Sequence, residues 1–150
     1  MKAVELLIND LLVDSYNKIM VIEKDALKKG PLKDLTINEL HAIEAIGLEG
    51  NSMSEIAKKL IVTGGTLTTM VNHLVSKGYV ERVSSENDRR VVKIILNKKG
   101  IYAYKIHDRF HYVMIRDMLK GIDRDEYEVL IRALSALDSF VQETYEKIEK

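Results

Sequence analysis

Cysteine is missing from this 150-residue chain and proline occurs once. Without cysteine there are no disulfides, no thiolate metal sites and no cysteine nucleophile, so a reducing cytoplasm is the expected setting. Glycine is sparse, at eight residues, and stands mostly where helices should stop. So few chain breakers favour a helical protein. Long apolar runs are also lacking. Lys2, Glu5, Asn9 and Asp10 interrupt the first twelve residues, and no later stretch approaches the ~18 apolar residues of a membrane span. No signal-peptide core and no membrane contact are expected.

What is present is globular composition, 46% hydrophobic and 31% charged, in a chain the size of one ordinary domain. The net charge of zero hides an asymmetry. Residues 52–100 carry nine basic and four acidic side chains, or +5, which leaves −5 for the flanks. A basic middle between acidic flanks suits a nucleic-acid-contacting lobe on a separate frame.

Val4 to about Lys29 shows apolar residues at helical spacing and ends at Gly30-Pro31. Thr36-Ile37-Asn38-Glu39 reads as a capping box opening a second helix that stops at Gly47 or Gly50. Ser52-Met53-Ser54-Glu55 reads as another, opening a short third helix. A tight turn then leads to a fourth helix, from about Thr63 to Lys77, with Gly78 beyond its end. Two short helices so joined form a helix-turn-helix. Tyr79–Val83 and Val91–Leu96 are rich in β-branched residues and flank a polar turn, which predicts a β-hairpin wing. Asn97 caps a helix over Lys98–Lys120, and Asp123 opens a last one reaching about Glu146. The expected fold is mainly α with a small β-hairpin: a winged helix-turn-helix of order ααααββαα in one 1–150 chain.

The fourth helix carries the functional signal. At ~100° per residue, Leu67, Val71 and Leu74 share one side. Gly65, Thr69, Asn72 and Ser76 share the other, beside Thr66, Thr68 and His73. Solvent-facing helices usually carry long charged side chains, and this face has almost none. Short hydroxyls and amides let a backbone lie deep in a major groove and touch base edges. Gly64 and Gly65 clear the helix N-terminus for phosphate. At the wing tip, Arg89 and Arg90 could enter a minor groove, with Asp88 fixing an arginine by a charge-assisted pair. With Thr63 at the helix start and Arg82 on the first strand, the candidate DNA-contacting set is Thr63, Gly65, Thr66, Thr68, Thr69, Asn72, His73, Arg82, Asp88, Arg89 and Arg90.

Ser54-Glu55-Ile56-Ala57, Lys77-Gly78-Tyr79-Val80-Glu81-Arg82, Asp88-Arg89-Arg90 and Lys98-Lys99-Gly100 together resemble the MarR family of winged-helix regulators. Asn97 stands where that family usually has threonine. A narrower likeness, to FabT-type repressors of fatty-acid synthesis genes, rests on Val21-Ile22-Glu23, Glu39-Leu40-His41, Val62-Thr63-Gly64-Gly65-Thr66, Ser84 to Val92 and Arg109-Phe110-His111. The resemblance implies a homodimer on a palindromic duplex operator. Residues 1–29 and 98–150 would form the dimerisation helices and 33–97 the DNA-binding lobe. It also implies long-chain acyl-acyl carrier protein as corepressor.

His107 and His111 stand four apart on one helix, a spacing that can bind zinc, but no third ligand is identifiable. Structural histidines bonded across from His41 are the expectation, with no cofactor. Met20, His41, Phe110, His111 and Met114 could line an apolar ligand site, although such residues more often form plain core. Other regulons answering to a small lipophilic or aromatic ligand, or to zinc, stay open. No catalytic triad, phosphate-binding glycine loop or paired-carboxylate motif occurs, so no enzyme is expected. A purely protein-binding winged helix is the remaining rival.

Overall fold

The computed structural model describes residues 2–84, 86–88 and 90–148. The chain divides into two compact units, 1–108 and 109–150. In the first, helix α1 covers Ala3–Lys29, α2 Ile37–Ile46, α3 Met53–Leu60 and α4 Gly64–Ser76. Strands β2 (Val80–Ser84) and β3 (Val92–Leu96) form the wing, and α5 begins at Lys98. The expected topology holds with one addition. A two-residue strand β1, Asn51–Ser52, pairs antiparallel with β3 and makes a sheet of order β1-β3-β2.

The predicted caps are visible. Thr36 Oγ1 accepts from the Glu39 N–H at 3.2 Å while the Glu39 carboxylate accepts from the Thr36 N–H at 2.8 Å. The second expected box is half formed. Ser52 Oγ accepts from the Glu55 N–H, but the Ser52 N–H donates to Asn51 Oδ1 at 3.0 Å instead of to Glu55. Ser52 is also a strand residue, and that geometry hands its N–H to its neighbour. Asn97 caps α5 by accepting from the N–H groups of Lys99 and Gly100 at 3.0 and 3.1 Å.

The core of this unit gathers one face from each element: Leu40 and Ile43 of α2, Ile56 of α3, Leu67 and Val71 of α4, Ile94 of β3. Each such side chain removed from water contributes about 1.5–3 kcal/mol. At Gly78, with φ of 77°, the chain leaves α4 through a Schellman turn. The Tyr79 N–H donates to the Leu74 carbonyl and the Gly78 N–H to that of Val75. Gly100 lets α5 approach β2 closely, since a Cβ there would run into the Tyr79 carbonyl oxygen.

Helix α1 buries only Glu23 and Leu27 and leaves Val4, Leu7, Ile8, Leu11 and Leu12 exposed. The second unit holds the end of α5, which runs to Leu119, a 3-10 turn over Arg124–Glu126, and α6, Tyr127–Ile148. The Glu126 carboxylate accepts from the Asp123 N–H at 3.0 Å and starts this segment. Helix α6 buries nothing, leaving Ile131, Leu134, Phe140 and Val141 in solvent. No helix among the described residues is long and apolar enough to cross a membrane.

Candidate nucleic-acid interface

Helices α3 and α4 are joined by Ile61, Val62 and Thr63. Ile61 takes the left-handed conformation, φ 56° and ψ 49°, which turns the chain sharply. Thr63 caps α4, its Oγ1 accepting from the Thr66 N–H at 3.2 Å. Leu67, Val71 and Leu74 then face the core, fully buried. Gly65, Thr66, Thr68, Thr69, Asn72, His73 and Ser76 are all exposed.

Gly64 and Gly65 serve no internal purpose. Neither has a positive φ, and a Cβ on either would meet nothing within 4 Å. Glycine is a poor helix residue, by up to about 1 kcal/mol against alanine. Its presence here leaves room for something outside the chain. Thr68 and Thr69 donate their hydroxyls back to the carbonyls of Gly64 and Gly65, at 2.8 and 3.3 Å. With the hydrogens so committed, both side chains present a methyl group and oxygen lone pairs outward.

In the wing, Val80 pairs with Leu96 and Ser84 with Val92. Both strands start one residue later than the sequence suggests. This register sets Arg82 of β2 beside α4, where its guanidinium donates to Asn72 Oδ1 at 2.6 Å. The Asp88 carboxylate accepts from the backbone N–H of Arg90 at 2.9 Å, closing a local turn. Short aspartate side chains reach their own backbone two residues on more readily than a mobile arginine head. Arg90 is exposed at this turn. Arg89 lies outside the described residues.

Part of the basic excess is matched within the chain. Lys77 Nζ lies 2.7 Å from Glu39 Oε2 and donates to the Asp34 carbonyl, and Lys99 Nζ lies 3.1 Å from Asp34 Oδ2. Both cations have acidic partners within the chain, while Lys99 stays 47% exposed. His73 Nδ1 stands 3.7 Å from Glu39 Oε1. Burial alone would raise the Glu39 carboxyl, but the Lys77 ammonium and the Thr36 N–H outweigh it and hold it below the usual range. Asp34 is likewise lowered against its desolvation, by Tyr79 and Lys99. Burial and the Asp34 carboxylate push the Tyr79 phenol far up.

Residues 33–91 match the MarR family. The regulator SarZ of Staphylococcus haemolyticus is 33% identical over 121 residues, covering 77% of this chain and 81% of its own. The chain belongs to the MarR family. Streptococcus pneumoniae FabT, solved in complex with DNA, is similar at a TM-score of 0.86 and 39% identity, over 93% of this chain and 99% of that one. MarR of Salmonella typhimurium is 30% identical over 112 residues, covering 72% of this chain and 78% of its own. As a MarR-family member the chain is a DNA-binding transcriptional regulator and not an enzyme.

The remaining predicted residues divide between the units. Met20 and His41 sit partly buried on α1 and α2, while Phe110, His111 and Met114 sit partly buried on the later part of α5. His41 Nε2 stands 3.3 Å from Glu23 Oε2, and His107 Nδ1 3.4 Å from Glu23 Oε1. His107 Nε2 also meets Glu44 Oε2 at 3.2 Å. Glu23 is 4% exposed and His107 3%. Sequence reasoning missed Glu23 and Glu44 as partners, because an acid beside an apolar stripe reads as solvent-facing. It did anticipate histidines held together with His41, whose ring centroid is 5.6 Å from that of His107.

Proposed function

We propose that this regulator is a homodimeric repressor of fatty-acid biosynthesis genes that binds a palindromic operator more tightly when long-chain acyl-acyl carrier protein is present. The observation that carries its DNA-reading part is the outer face of α4, slim, uncharged and bearing two glycines with no internal role. Thr63, Gly65, Thr66, Thr68, Thr69, Asn72 and His73 would line a major groove, with Arg82, Asp88, Arg89 and Arg90 engaging alongside from the wing. The fatty-acid assignment rests on the FabT-type residues and on the similarity to FabT.

The lobe is 33–97. The exposed apolar faces of α1 and α6 are more than a monomer ordinarily leaves in water, and residues 1–29 and 98–150 supply the dimer frame. Two recognition helices would then enter successive major grooves, about 34 Å apart. Genomic fragments bound by the full chain, selected with and without long-chain acyl-acyl carrier protein, test this. Enrichment of palindromes upstream of fatty-acid synthesis genes, tighter with the carrier protein, is the expected result. Palindromes elsewhere, indifferent to it, remove the fatty-acid reading and keep the regulator.

A further inference from the structure

The bond between Arg82 and Asn72 fixes more than a position. A guanidinium has five donors and no acceptor, so Asn72 must turn its amide oxygen toward Arg82. The group that remains is Nδ2, with two hydrogens to donate. Both residues are exposed. In water such a bond adds little to stability. In a groove emptied of water the same charge-assisted bond strengthens. Its effect is therefore greatest when DNA is bound.

An asparagine that reads adenine uses both ends of its amide, accepting from N6 and donating to N7. Arg82 takes one of the two lone pairs of the amide oxygen, and its positive charge repels a base amino group from the other. What the pair best offers a base is therefore donors, Nδ2 with further guanidinium N–H groups beside it. Guanine alone offers two adjacent major-groove acceptors, O6 and N7, with no donor between them. Cytosine presents a donor, adenine a donor next to its acceptor, and thymine one acceptor next to a methyl group.

We propose that Arg82 is a positioning residue for specificity, which locks Asn72 as a donor and so sets guanine rather than adenine at one position of each operator half-site. This rests on the operator-reading function proposed above. The test is selection of bound sequences from randomised duplexes by the full-length wild type, Asn72→Ala, Arg82→Ala and Arg82→Lys, each checked for an unchanged melting temperature. One position should lose its preference with Asn72→Ala, and the wild type should favour guanine there by roughly tenfold to a hundredfold. With Arg82→Ala the freed amide should admit adenine at that position alone. Arg82→Lys, which also only donates, should keep guanine. Adenine in the wild-type site, no position dependent on Asn72, or an Arg82→Ala variant that retains the wild-type preference each overturns the proposal while sparing the repressor reading. A wild type that enriches no sequence at all sinks both.

Discussion

The Lys77 ammonium, at the end of α4, lies 2.7 Å from the carboxylate of Glu39, the residue that closes the capping box of α2. One 2%-exposed acid thus serves two helices at once. Glu39→Ala removes the carboxylate half of the capping box and the ion pair with Lys77, and should cost about 1–3 kcal/mol, read from urea denaturation. A loss below about 1 kcal/mol would mean that the two helices hold each other through apolar contacts alone.

The same network sets a pH dependence. Glu39 and Asp34 titrate lower in the folded chain than in the unfolded one, so their stabilisation is complete above about pH 4.3 and disappears as pH falls through the lowered values. Tyr79 is raised, mainly by burial, so the folded state loses ground as pH climbs past about 10, where the unfolded phenol ionises. Denaturation midpoints from pH 3 to 11 should show both limbs, and Tyr79→Phe should flatten the alkaline one and, by removing the phenol bond that lowers Asp34, weaken the acid one in part.

Gly64→Ala and Gly65→Ala should separate folding from function. Each should raise stability by a few tenths to about 1 kcal/mol, because helix propensity improves and no contact is disturbed. Operator affinity should fall. Tighter binding by both variants in a mobility-shift titration would show that the helix start stays clear of the duplex.

Arg90→Ala should flatten the plot of log affinity against log salt by about 0.9 per arginine, or about 1.8 for a dimer. An unchanged slope would place Arg90 away from the phosphates.

Ile61 combines a left-handed backbone with 63% exposure, so its side chain contributes little packing while its β-branch is strained. Ile61→Gly should therefore leave the melting temperature unchanged or raise it by a few degrees. A clear drop would reveal a contact that outweighs the strain.

Much of this molecule could be read in advance. Thr36 with Glu39, Asn97 before Lys98 and Gly78 after Lys77 mark helix ends through local chemistry, and local chemistry is written in adjacent residues. Strand β1 left no trace, since two residues become a strand only when the free edge of β3 comes alongside. The bond from Arg82 to Asn72 depends on sheet register across ten residues of chain. Lys77 and Lys99 looked like DNA-facing charge because their partners, Glu39 and Asp34, lie 38 and 65 residues away. The bond from the Arg90 N–H to Asp88 is likewise set by the turn the backbone takes there.

Asn97 joins two helices through the two ends of one amide. Its oxygen holds the start of α5, while its Nδ2 donates to the Gly78 carbonyl at 2.6 Å, where α4 has just ended. The two helices are in effect riveted through a single side chain. Any tug on the first turn of α5 arrives at the tail of α4 without crossing the hydrophobic interior, a short mechanical route by which an event elsewhere could tilt that helix.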